Sequence, residues 1–99
     1  MSDTVKCLEE MFASLCNGEW EHSHGIVIES LDNPGWIVRV CLTGTRHQSL
    51  EIMPVMTERS EHDWVHIAAK IEGHDRFIQC ACGPKNLAEG LDLIIGHLR

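Results

Sequence analysis

With 99 residues, 43% of them hydrophobic, and a net charge of -7, the chain has the size and composition of one small globular domain, residues 1–99, rather than a disordered segment. Fifteen acids against eight bases speak against nucleic acid as a ligand, because phosphate binding needs a cationic footprint. No apolar run approaches the roughly 20 residues that cross a bilayer, so no membrane contact is expected.

The first element is a predicted helix over residues 4–16, "TVKCLEEMFASLC". Val5, Leu8, Phe12 and Leu15 recur at helical spacing, and Met11 widens the stripe. Asn17-Gly18 is a stop signal, since glycine accepts the left-handed backbone that follows a helix end. Strand-like runs follow. "HGIVIESL" (24–31) carries Ile26 and Ile28 on one face, and "DNPG" (32–35) is a turn. "WIVRVCL" (36–42) places Trp36, Val38, Val40 and Leu42 on one face, with Trp36 expected in the core. "SLEIMPVMT" (49–57) is a third strand, and Pro54 in it suggests an edge or a bulge. After a polar turn over 58–63, "WVHIAAKI" (64–71) and "RFIQCAC" (76–82) form a hairpin. The chain ends in a helix with Asn86 as cap, Glu89 three residues on as in a capping box, and a stripe of Leu87, Leu91, Ile94, Ile95 and Leu98.

The order is thus helix, about five strands, helix. Short links favour antiparallel neighbours, because a parallel crossover needs a dozen residues or more. The predicted fold is α+β: an antiparallel meander with an N-terminal and a C-terminal helix packed on one face.

The start, "MSDTVKCLEE", shows no basic region followed by an apolar run, so no signal peptide and a cytoplasmic location are expected. The odd, irregularly spaced cysteines 7, 16, 41, 80 and 82 do not read as a disulfide framework. They read as reduced, small apolar residues. Acidity is concentrated early: residues 1–35 hold Asp3, Glu9, Glu10, Glu19, Glu21, Glu29 and Asp32 against Lys6 alone. Such a field would steer a basic partner, and it would also simply keep the protein soluble.

Candidate chemistry is sparse. Seven histidines are many for this length, and His22 and His24 would share a strand face, as would Cys80 and Cys82. Yet no paired-ligand spacing of a zinc site is present. Glu19, Glu21 and His22 could serve as acid and base, but no nucleophile elbow or glycine-rich phosphate loop completes a site. No catalytic residue, metal site or cofactor is therefore assigned. A small enzyme or a metal-dependent binder built on Glu21 and His22 remains the alternative.

One pattern is more specific. "CNGEWEHSHGIVIESLDNPGW" (16–36) followed by "CLTGT" (41–45) resembles the immunity protein 53 family of bacterial polymorphic-toxin systems, as do "ERSEHDW" (58–64) and "CGPKNLAE" (82–89). The match carries Cys16, Asn17, Gly18, Trp20, Glu21, His22, Gly25, Ile26, Ile28 and the whole of Leu31–Trp36. It departs at His24, where the family often has tyrosine, and at Cys41-Leu42, where aspartate is common. The resemblance implies an α+β protein that binds and neutralises a cognate toxin domain without catalysis, a nuclease being the expected toxin class. Asp32, Asn33, Gly25 and Gly35 are expected to set turn geometry. The candidate partner-binding residues are Glu19, Trp20, Glu21, His22 and Asp32 around the first strand, and Glu58, Glu61 and Asp63 in the turn before Trp64. Trp20 and His22 are open to a structural role as well.

Overall fold

The computed structural model describes residues 3–99. Helix α1 (Thr4–Leu15) and a single turn, α2 (Trp20–Ser23), precede strands β1 (Ile26–Leu31), β2 (Gly35–Cys41), β3 (Val55–Ser60), β4 (Asp63–Glu72) and β5 (Asp75–Cys82), and α3 (Leu87–His97) closes the chain. All strand pairings are antiparallel, as expected. The sheet order, however, is β1-β2-β5-β4-β3. A hairpin (β1-β2) and a three-strand meander (β3-β4-β5) are joined by pairing the last strand to β2. The connection over 42–54 is long enough to cross to the far edge. It also explains why the third strand starts at Val55 rather than 49: Leu50 and Ile52 leave the sheet to pack against the core. The polar turn shrinks to Glu61-His62, because Glu58, Arg59 and Ser60 continue β3 through a bulge. β3 is an edge strand, in keeping with the proline just before it.

The register divides each strand into two faces. Val38 and Val40 of β2, Val65 and Ile67 of β4, and Ile78, Cys80 and Cys82 of β5 are fully or almost fully buried beneath the helices. α3 brings Leu91, Ile94, Ile95 and Leu98 down onto them, the stripe its spacing predicts. The seating is close. A Cβ on Gly90 would lie 2.7 Å from the Cys80 sulfur, so a small residue on each side sets the helix-to-sheet distance. Burial pushes the Cys80 thiol up to about 12, which leaves it inert. All five cysteines are free thiols.

α1 is rotated relative to its predicted stripe. Met11 and Leu15 point inward, while Val5 and Phe12 are exposed. The Thr4 hydroxyl donates to Asp92 of α3 at 2.8 Å, which turns the Thr4–Leu8–Met11–Leu15 side towards its partner. Gly25 has φ +81°, a positive angle that glycine accommodates. Gly35 does not; a Cβ there would sit 2.3 Å from the Cys82 carbonyl oxygen, so close strand approach excludes any larger residue.

The two tryptophans of the family-like stretch differ in burial: Trp20, open to a structural role, has one, and Trp36, expected in the core, reaches only its margin. Trp36 lies on the helix-covered face but is only half-buried, its indole N–H donating to Pro84 O at 3.1 Å. Trp20 is 1% exposed, donates its indole N–H to Cys41 O at 2.9 Å and packs against Phe12. Trp20→Ala should therefore destabilise the protein by about 3–5 kcal/mol, as for other deleted core aromatics. Trp36→Phe, which keeps an apolar ring and loses one hydrogen bond, should cost about 1 kcal/mol. Urea unfolding midpoints of the two variants check the ranking.

Candidate partner-binding site

Both long helices lie on one face of the sheet, so the other face is uncovered. It carries Val27, Glu29 and Leu31 of β1, Ile37 and Arg39 of β2, Phe77, Gln79 and Ala81 of β5, Trp64, His66 and Ala68 of β4, and Met56 and Glu58 of β3. Arg39 sits 4.6 Å above the Phe77 ring and pairs with Glu72 at 2.5 Å, so its charge is already engaged.

The strand directions sort the predicted residues into two groups. Leu31 faces Gly35, Trp36 faces Cys82, Cys82 faces Val65, and Asp63 faces Ser60. The β1–β2 turn with Asp32 and the β3–β4 turn with Glu61 thus share one end of the sheet. There a concavity of about 490 Å³ is lined by Leu31, Asn33, Glu58, Ser60, Glu61, Trp64, His66 and Ala81. Trp64 and His66 pack their rings at 4.9 Å between centroids, and the His66 Nε2 lies 3.1 Å from a Glu58 carboxylate oxygen. Asp32, Glu58 and Glu61 are exposed around this recess.

Asp63 belongs to the same end but is already occupied. Arg59 Nε donates to its carboxylate at 3.0 Å and Asn86 Nδ2 at 2.9 Å, while the other Arg59 nitrogens grip Glu89 of α3 as a fork. Asn86 opens α3 without a side-chain cap bond; its amide is drawn instead to Asp63 and Glu89. The capping box expected from spacing is therefore replaced by a tertiary clasp between β3, β4 and α3. Hydrogen bonds from Arg59 and then Asn86 hold the carboxyls of both Asp63 and Glu89 below the usual carboxylate range.

Glu19, Glu21 and His22 lie at the opposite end of the sheet, beside the start of β1. Asn17 Oδ1 accepts from the Glu19 and Trp20 backbone N–H groups, and the Glu21 carboxylate accepts from those of Asn17 and Gly18, both at 2.8 Å. Hydrogen bonds from its own backbone N–H and from Asn17 and Gly18 lower the Glu21 carboxyl. Glu21 thus ties down the link between α1 and α2. Trp20 is buried, which removes it from the surface set: its polar atom and its ring are both spent inside. Glu19 and His22 remain exposed.

The family-like stretch thus reaches both ends of the sheet: residues 16–25 build one, and the β1–β2 turn with Asp32 belongs to the other. A family profile described as immunity protein 53 matches residues 5–96. The chain belongs to the immunity protein 53 family. No curated protein and no solved structure matches it. In this immunity protein, the match spans every element from α1 to α3, and with it both ends of the sheet. Trp64 and His66 were not singled out from the sequence, since alternation in β4 makes their face legible but not which face stays uncovered.

The clasp makes a pH prediction. Asp63 and Glu89 titrate lower in the fold than in the unfolded chain, so the unfolded chain binds more protons between the two values. Their contribution to stability is complete above the ordinary carboxylate range of about pH 4 and is lost as pH falls through the depressed folded values. Glu89→Gln should flatten this acid-side decline. Denaturant midpoints measured from about pH 6 to about pH 2 test it, and an unchanged slope would show that the clasp adds no stability.

Proposed function

We propose that this protein is a cytoplasmic immunity protein of a bacterial polymorphic-toxin system. It binds a cognate toxin domain, a nuclease, one to one and blocks it by occlusion rather than by catalysis. The observation that carries the reading is the uncovered sheet end where Trp64 lies in a recess lined by Glu58 and Glu61, with the exposed Asp32 in the adjoining β1–β2 turn. An aromatic anchor surrounded by carboxylates suits a basic surface such as the nucleic-acid cleft of a nuclease. The net charge of -7 adds long-range attraction to the same partner. Family membership supports the inhibitory role. Catalysis by Glu21 and His22 has little support, because the Glu21 carboxylate is committed to two backbone N–H groups and His22 is exposed.

Co-expression with the toxin domain encoded beside the gene should restore growth, and the two purified proteins should form a 1:1 complex without nuclease activity. Absence of a complex would overturn the reading. The double variant Glu58→Lys, Glu61→Lys should fold normally, since neither residue belongs to the Arg59 clasp. It should associate about tenfold more slowly at low salt. The wild-type association rate should itself fall as salt rises, because exposed charges are screened beyond about 10 Å at 0.1 M. Rates unaffected by both changes would move the interface away from this end of the sheet.

A further inference from the structure

We propose that His24, Cys41 and Asp75 form a binding site for one divalent transition-metal ion of the zinc class. The site lies at the end of the sheet opposite the Trp64 recess. The three side chains each offer one ligand atom, and these atoms lie within 4.8 Å of one another. Metal bonds of about 2.0–2.3 Å in a tetrahedral shell separate neighbouring ligand atoms by about 3.3–3.7 Å. Small side-chain rotations therefore bring the three into coordinating positions.

The backbone beneath them is fixed. His24 ends the α2 turn, Cys41 ends β2 and Asp75 begins β5. The Cys41 N–H donates to Gly25 O at 3.3 Å, next to His24. The Leu42 N–H donates to Arg76 O at 2.7 Å, next to Asp75, and the Arg76 N–H donates to the Thr43 hydroxyl at 2.9 Å. The buried indole of Trp20 holds the Cys41 carbonyl. All three ligand-bearing segments are thus bonded to one another before any ion arrives, which lowers the ordering cost of binding.

The donor set selects the ion class. One thiolate, one imidazole and one carboxylate suit zinc(II) or cobalt(II), whereas hard cations such as magnesium or calcium take oxygen alone. Burial pushes the Cys41 thiol up, and hydrogen bonds from the Thr43 backbone N–H and hydroxyl act against that rise; such donors support a metal-bound thiolate. On binding, the Cys41 S–H bond breaks, its proton leaves to solvent and the sulfur lone pair forms the metal bond. A recess of about 100 Å³ lined in part by Trp20, Ser23, His24 and Thr43 borders the His24 side of the site.

Full-length protein, purified without an affinity tag and kept reduced, is titrated with cobalt(II). One equivalent per chain should give a sulfur-to-cobalt charge-transfer band and the visible bands of a four-coordinate ion, and zinc(II) should displace it. Cys41→Ser should abolish the charge-transfer band. Because Cys41 is buried and its replacement could disturb the fold, His24→Gln and Asp75→Asn provide a second test. Both should keep the wild-type circular dichroism and weaken cobalt binding by at least about tenfold. No charge-transfer band at one equivalent, a band that survives Cys41→Ser, or undiminished binding in both peripheral variants would each overturn the site.

Discussion

The contact on which the molecule depends is the seating of α3 on the central strands β2, β5 and β4. Leu91, Ile94, Ile95 and Leu98 meet Val38, Val40, Val65, Ile67, Ile78 and the two thiols of β5 in one buried cluster. At roughly 25 cal/mol per Å² of apolar surface removed from water, this layer is the main source of the favourable folding energy. The close approach permitted by Gly90 and Cys80 brings the aliphatic side chains into contact, and a larger residue at either position would lift the helix off the sheet.

That seating also decides what is left open. An antiparallel sheet is stable with one face buried and one solvated. Here α1 packs beside α3, and no helix covers the Trp64 and His66 face among the described residues. The exposed face carries half-buried aromatics and engaged charges instead of an alternation of free polar residues, a composition seen at interfaces more than at plain solvated surfaces.

Insertion of β5 between β2 and β4 has a geometric consequence. It sets the β1–β2 turn and the β3–β4 turn at the same end, on either side of the short link that leads from β5 into α3. The Arg59 clasp then joins β3, β4 and α3 there, so the acidic recess is built on rigid elements. The opposite end is organised differently, by backbone hydrogen bonds around Trp20, Glu21 and Cys41.

The sequence by itself determined four of the five strands, the antiparallel pairing, the helix at each end, the α3 stripe and the family-like motifs, because period-2 and period-3.6 patterns and turn residues are local signals, whereas the third strand lies at Val55–Ser60 rather than 49–57. It misjudged the face of α1, the role of Asn86 and the relative burial of Trp20 and Trp36. Each of these was decided by a partner distant in the chain: Asp92 for Thr4, Asp63 for Asn86, and Cys41 for Trp20. The same holds for the sites. Glu19, Glu21 and Asp32 are near in sequence yet fall at two ends of the sheet, whereas Asn33 and Glu61 are far apart in sequence yet line one recess. His24, Cys41 and Asp75 share no motif spacing and meet through strand order alone. Periodicity specifies which side of an element faces inward only up to a rotation or a choice of neighbour. Tertiary packing makes that choice, because the buried area and the hydrogen bonds that distinguish the alternatives exist only once distant segments are in contact.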